Sequence, residues 1–158
     1  TRLSEREMKD VLRNDQTGLM CVGHLPNTVD NVIAFNGASG IQGRDVRATN
    51  ATIAHNTIAY NRGHGLSLGG SSHAILENNI IAFNEKNDVW VDGDAVRVEF
   101  TGNNVYRNGG AARALDETNM SKDPQFVSGR RMDFRLEQDS PCRRATEDNE
   151  DIGVRFPD

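Results

Sequence analysis

The sequence predicts an all-β fold, a short parallel β-helix with three strands per coil and about four to five coils. Two observations predict it. The phrase Asn31-Val-Ile-Ala-Phe-Asn36 returns as Asn56-Thr-Ile-Ala-Tyr-Asn61, Asn79-Ile-Ile-Ala-Phe-Asn84 and Asn103-Asn-Val-Tyr-Arg-Asn108, at intervals of 23 to 25 residues. A period of this length marks stacked supersecondary units. Each period also carries three short apolar pieces and no helical stripe. Ile33, Ile58, Ile81 and Val105 sit inside the phrase, and Ile53, Leu76 and Phe100 precede it by three residues. Gly40-Ile41, Gly65-Leu66-Ser67-Leu68 and Asp88-Val89-Trp90-Val91 follow it with the alternation of half-buried strands.

The asparagines have a structural task in such a stack. At the ~4.8 Å strand spacing, equivalent side-chain amides can donate and accept hydrogen bonds along a column. Asparagine also tolerates the left-handed backbone of tight corners.

Residues 1–17 predict a capping α-helix. Ser4 and Glu7 form a capping box, Leu3 and Met8 a hydrophobic staple, and Met8, Val11 and Leu12 one apolar face. Such a helix covers the open end of a solenoid. Residues 18–108 carry the coils, with an irregular first coil over 18–30. Residues 109–158 read as a loop followed by an irregular cap, with strand-like pieces at Phe126-Val127 and Phe134-Arg-Leu136, a break at Ser140-Pro141 and a solvated acidic run from Glu147 to Asp151. The tail is expected to cover the last coil. All 158 residues thus form one domain.

The coil Ile53-Ala-His-Asn56-Thr-Ile58-Ala-Tyr-Asn61-Arg-Gly-His-Gly65-Leu66-Ser-Leu68 resembles the repeat of the right-handed, single-stranded parallel β-helix family, the pectate-lyase-like superfamily. Asp123-Pro-Gln-Phe-Val127, Asp133-Phe-Arg-Leu136, Ser140-Pro141 and Asp151-Ile-Gly153 resemble the ending of polysaccharide lyases and cell-surface members of that superfamily. The resemblance implies an extracellular, cell-surface or periplasmic protein whose ligand is a polysaccharide. It is specific for fold and not for activity.

Composition narrows the partners. A formal charge of −5 argues against nucleic acid, which selects basic stripes. No apolar run approaches the ~20 residues of a membrane-spanning helix. Thr1 is not a methionine, so the chain reads as a processed product or a fragment, and a missing leader says nothing of export. Cys21 and Cys142 lack metal-type spacing. A disulfide fits a secreted chain, while two buried free thiols are the commoner outcome.

Function is expected on the outward columns. Phe35, Tyr60 and Phe83, followed by Arg107, precede each closing asparagine and make a strip that either binds sugar rings or packs beneath the helix or tail. Catalysis on a uronic acid requires a base and a group neutralising the carboxylate, and His55, Arg62, His64, His73, Lys86 and Arg107 are the candidates. Asp45, Glu77 and Glu99 are candidates for a hydrolytic carboxylate pair. Asp88, Asp92 and Asp94 hold a fragment of a calcium loop without its full pattern, so a plain turn is the simpler reading and no cofactor is required. The favoured function is a non-catalytic carbohydrate-binding or surface-structural domain, perceived as a piece of a larger exported protein. The alternatives are a polysaccharide lyase, epimerase or glycoside hydrolase, and a module that self-associates through its solenoid ends.

Overall fold

The computed structural model describes residues 9–93, 95–111 and 114–156. Its order is β1 (Lys9–Leu12), β2 (Leu19–Val22), β3 (Thr28–Val29), β4 (Asn31–Ala34), β5 (Ile41–Ala54), β6 (Thr57–Ala59), β7 (Leu66–Glu77), β8 (Ile80–Ala82), β9 (Val89–Asp92), β10 (Arg97–Thr101) and β11 (Asn104–Tyr106), then β12 (Phe126–Ser128), a 3-10 turn at Gly129–Arg131 and β13 (Asp133–Leu136). β1, β4, β6, β8 and β11 stack in parallel as a flank sheet. The other strands of the solenoid form one parallel sheet that bends where the β5–β7 register shifts, between Gly43 and Val46 and between Arg47 and Asn50. Its front half holds β2, the start of β5, the start of β7 and β9, and its rear half holds β3, the end of β5, the end of β7 and β10. Three faces surround a core of Ile33, Ile41, Ile53, Ile58, Leu66, Leu68, Leu76 and Ile81.

The corners are columns of left-handed residues. Asp30, His55, Asn78 and Gly102 form one, at φ of 56, 53, 54 and 66°, each preceding a ladder asparagine. Arg13, Phe35, Tyr60, Phe83 and Arg107 form the second, at 54, 57, 56, 59 and 45°. Gly23, Asp45, Gly70 and Gly93 turn the front half into the rear half. A left-handed corner costs a non-glycine residue ~1–2 kcal/mol, so two of the columns store strain that the asparagines offset.

They offset it by bonding. The Asn36 amide N–H donates to Asn61 Oδ1 at 3.1 Å and its Nδ2 to the same oxygen at 2.9 Å, and Asn61 treats Asn84 in the same way. The second ladder runs from Asn31 through Asn56 and Asn79 to Asn103, with backbone donations of 2.9 to 3.0 Å. Both ladders extend one step past the repeats visible in sequence. Asn14 donates to Asn36 Oδ1, and Asn119 Oδ1 accepts from the Asn103 amide at 2.9 Å.

Two expectations are corrected. The helix expected to run through Leu12 is not found there, because residues 9–12 are strand β1, in register with Asn31–Ala34. Val11 is drawn into the core cluster and Leu12 packs on the flank, a two-sided use that a strand permits and one helical face does not. Ser4, Glu7, Leu3 and Met8 lie outside the described residues. The coils therefore begin before residue 18. The tail beyond Lys122, for its part, meets the last coil at its flank, where Cys142 bonds Asn104, and not over its open end. Residues 119–122 close that position, where the Val105 amide donates to the Met120 carbonyl at 2.9 Å and the Lys122 amide donates to Asn104 Oδ1 at 3.0 Å. The remaining tail runs along the flank sheet, whose outward residues Val32, Ala34, Ala59, Ile80 and Ala82 are apolar and need cover. Phe134, Val154, Cys142 and Ile152 supply it.

Candidate functional site

The aromatic column forms as its spacing predicts. Phe35 and Tyr60 stack at 5.0 Å with planes 2° apart, and Tyr60 and Phe83 at 4.9 Å with planes 12° apart. Phe83 then meets Tyr106 edge-on at 5.6 Å, and Arg107 lies over the Tyr106 ring at 5.4 Å. The column is half-buried. Phe134 sits 6.2 Å from Phe35 and 6.3 Å from Tyr60, and Gly129 rests so near the Tyr60 hydroxyl that a Cβ there would approach it to 3.0 Å. Burial raises the Tyr60 phenol above its ordinary range. The tail packs on these rings through Phe134, while Tyr60 and Phe83 also line an open recess beside Phe126 and Arg130.

Of the candidate acid–base groups, the structure brings together His73 with Glu99 and His64 with Lys86, and places the two pairs and His55 on different parts of the solenoid. His55 turns into the tail, its side chain 12% exposed, with Nε2 at 3.9 Å from Glu150 and at 3.5 Å from Asn78 Nδ2. Desolvation, then the positive charge of Arg155, lowers its pKa. His73 is on the rear half, with Nε2 at 2.7 Å from Glu99 and Nδ1 at 3.2 Å from Asn50. Glu77 stands in register with Ala54 and Thr101, whereas Glu99 is in register with Ile75, so the two carboxylates occupy different columns. Asp45 turns the front corner. Arg62 and Lys86 are exposed on turns. Asp88 is buried and Asp92 exposed, ~13 Å apart along an extended strand. Asp94 lies outside the described residues, and among those described no three metal-ligating side chains come together.

One group that sequence reasoning passed over stands out. Trp90 projects from β9 on the front face and is 48% exposed, backed by the His64 imidazole at 5.4 Å and 22°. The Asn87 amide donates to His64 Nδ1 at 3.2 Å, which fixes the proton of the neutral ring on Nε2. Desolvation first, then Lys86, lowers the His64 pKa, so the ring is neutral against Trp90. The signal was available: the alternation Val89-Trp90-Val91 that marks β9 as a strand also turns Trp90 outward. In register with Trp90 lie Ser67 and Gln42, the latter taking the Thr17 hydroxyl at 3.1 Å. Beside them Gln42, Arg44, Asp45, Ser67, Gly69, Gly70 and Asp92 line an open recess of about 370 Å³. An exposed indole with one face supported, next to amide, hydroxyl, guanidinium and carboxylate groups, can hold a flat apolar face and bond the hydroxyls around it.

Both thiols are free and buried. Cys142 accepts from Asn104 Nδ2 at 3.0 Å, and burial pushes its pKa up to about 11, which leaves it unreactive.

No curated protein and no solved structure matches the chain. The family model described as "Right handed beta helix region" matches residues 10–129. With most of its length matched and its strands stacked in parallel coils, the chain belongs to the right-handed β-helix family.

Proposed function

We propose that the protein is a non-catalytic carbohydrate-binding β-helix module acting outside the cytoplasm, and that it takes its ligand on the front face. The observation that carries this reading is the exposed, His64-backed indole of Trp90 beside the polar recess. Flat aromatic faces pack on the apolar faces of pyranose rings, and the groups in the recess match the hydroxyl rim. The dispersal of His55, His64 and His73 over three different parts of the solenoid supports binding without turnover.

The test is electrophoresis through gels containing laminarin, xylan, alginate or polygalacturonate. Retardation of the wild type in at least one gel, lost in Trp90→Ala and kept in Tyr60→Phe, is expected. Equal retardation of Trp90→Ala would move the site elsewhere, and no retardation in any gel would remove the carbohydrate reading. Incubation with the same polymers is expected to release no unsaturated or reducing ends. Their appearance would make the protein an enzyme.

A further inference from the structure

The outward residues of the front face form two columns. Register sets Met20, Gln42, Ser67 and Trp90 in one, while the other joins the pair Val22 and Arg44 to the pair Gly69 and Asp92 across the β5–β7 register shift that follows Gly43. Two of the four strands, β5 and β9, carry long side chains or charges in both columns and β2 carries Met20 and Val22, while β7 offers only a hydroxymethyl group and a hydrogen. The result is a trough along β7, walled by Gln42 and Arg44 on β5 and by Trp90 and Asp92 on β9, ~10 Å apart at two strand spacings.

Gly69 is not required by its backbone. It is absent from the residues at positive φ, and a Cβ there would find its nearest neighbour, the Gly43 carbonyl oxygen, at an ordinary 3.7 Å. The adjacent Gly70 differs, with φ of +90° and a Cβ position only 2.4 Å from the Val46 carbonyl oxygen. Glycine within a strand weakens it and commonly marks a place where another molecule approaches the backbone closely. Gly70 is a corner; Gly69 keeps the floor low.

We propose that the bound glycan lies along β7, across the solenoid axis, and does not follow the axis from coil to coil. This rests on the carbohydrate reading above. One sugar packs on Trp90 over Ser67, and the next sits over Gly69 between Arg44 and Asp92, whose charged groups bond its hydroxyls. The floor from Ser67 to Gly70 is ~10 Å long, which admits about two sugar residues. An axial chain would have to climb over Gln42 and Arg44.

The experiment is calorimetric titration of the full chain with laminari-oligosaccharides, xylo-oligosaccharides and oligogalacturonides of about two to six residues. It uses the wild type, Trp90→Ala and Gly69→Leu, with amide shifts of the labelled wild type recorded alongside. Gly69→Leu is expected to keep the wild-type circular dichroism and melting temperature and to lose at least tenfold in affinity. Affinity is expected to level off at two or three residues, with shifts at Ser67, Gly69, Gly70, Gln42 and Trp90 and none at Met20 or Val22. If Trp90→Ala abolishes binding while affinity keeps rising to the hexasaccharide, or shifts reach Met20 and Val22, the carbohydrate site stands and the transverse trough falls. Wild-type affinity retained in a folded Gly69→Leu overturns it equally. If no oligosaccharide binds the wild type, both readings fall. Should Gly69→Leu not fold, the length series and the shift map decide alone.

Discussion

Arg155 holds Asp30 through two parallel bonds, Nε to Oδ1 and Nη2 to Oδ2, each 2.7 Å, joining positions 125 residues apart. Asp30 is a left-handed corner residue of the solenoid and Arg155 lies near the end of the described tail. Arg155 Nη1 also reaches Glu150 at 2.7 Å, and the Gly153 amide donates to the Asn78 carbonyl at 2.8 Å. The tail is thus fastened to the first corner column by charge and backbone together. Arg155→Ala leaves the buried Asp30 carboxylate without its fork and is expected to cost ~3 kcal/mol in urea unfolding. An unchanged midpoint would show that apolar packing alone holds the tail.

The ladders make a graded prediction. Asn61→Ala leaves the buried Asn36 amide without its acceptor and takes one partner each from Asn36 Nδ2, the Ile33 carbonyl and Asn84 Oδ1, although Asn36 Nδ2 keeps the Val11 carbonyl and Asn84 Oδ1 keeps the backbone amide of residue 61, and it is expected to cost ~3 kcal/mol. Asn14→Ala removes only the Nδ2 donation of an exposed end residue, its backbone amide still bonding Asn36 Oδ1, and is expected to cost under ~1 kcal/mol. Thermal unfolding of both variants checks the ratio.

At Tyr60, two effects oppose each other. Removing the ring loses two stacked neighbours, while glycine relieves a backbone held at φ of 56°. Tyr60→Gly should therefore be more stable than Tyr60→Ala by ~1 kcal/mol, the reverse of the usual order. Equal stability would mean that the corner carries no strain.

Acid is expected to loosen the tail through His55. Burial and Arg155 lower its folded pKa below the ordinary 6.5, against weaker opposition from Asp30 and Glu150. The unfolded chain therefore binds the proton first, so the stability contributed by neutral His55 is present above pH ~6.5 and is lost as pH falls towards the folded pKa. Urea midpoints of the wild type should drop between pH 7.5 and pH 5 more than those of His55→Gln. Parallel curves would clear His55 of the effect.

Much of this was written in the repeat. The inward isoleucines, the asparagine ladders and the aromatic column all follow from positions that recur at one interval, because a solenoid converts period into register. What escaped was whatever departs from the period. Asn119 follows Asn103 by only 16 residues yet continues its ladder, since the intervening loop is shorter than a coil. The tail's course was hidden because Arg155 finds Asp30 through space, although the runs Val32-Ile33-Ala34, Thr57-Ile58-Ala59 and Ile80-Ile81-Ala82, buried on both faces, already called for a cover. At the candidate site, the period makes the recurring aromatics legible, whereas Trp90 occurs once and leaves no periodic signal.

That single occurrence provides the most direct test of the central claim. Trp90 is the only tryptophan of the chain, so its fluorescence reports on the front face alone. Titration with the polymer that retards the protein in a gel is expected to shift the emission to the blue and to protect it from acrylamide quenching. Retardation with unchanged emission and unchanged quenching would contradict the account, because the polymer would then be held without touching Trp90.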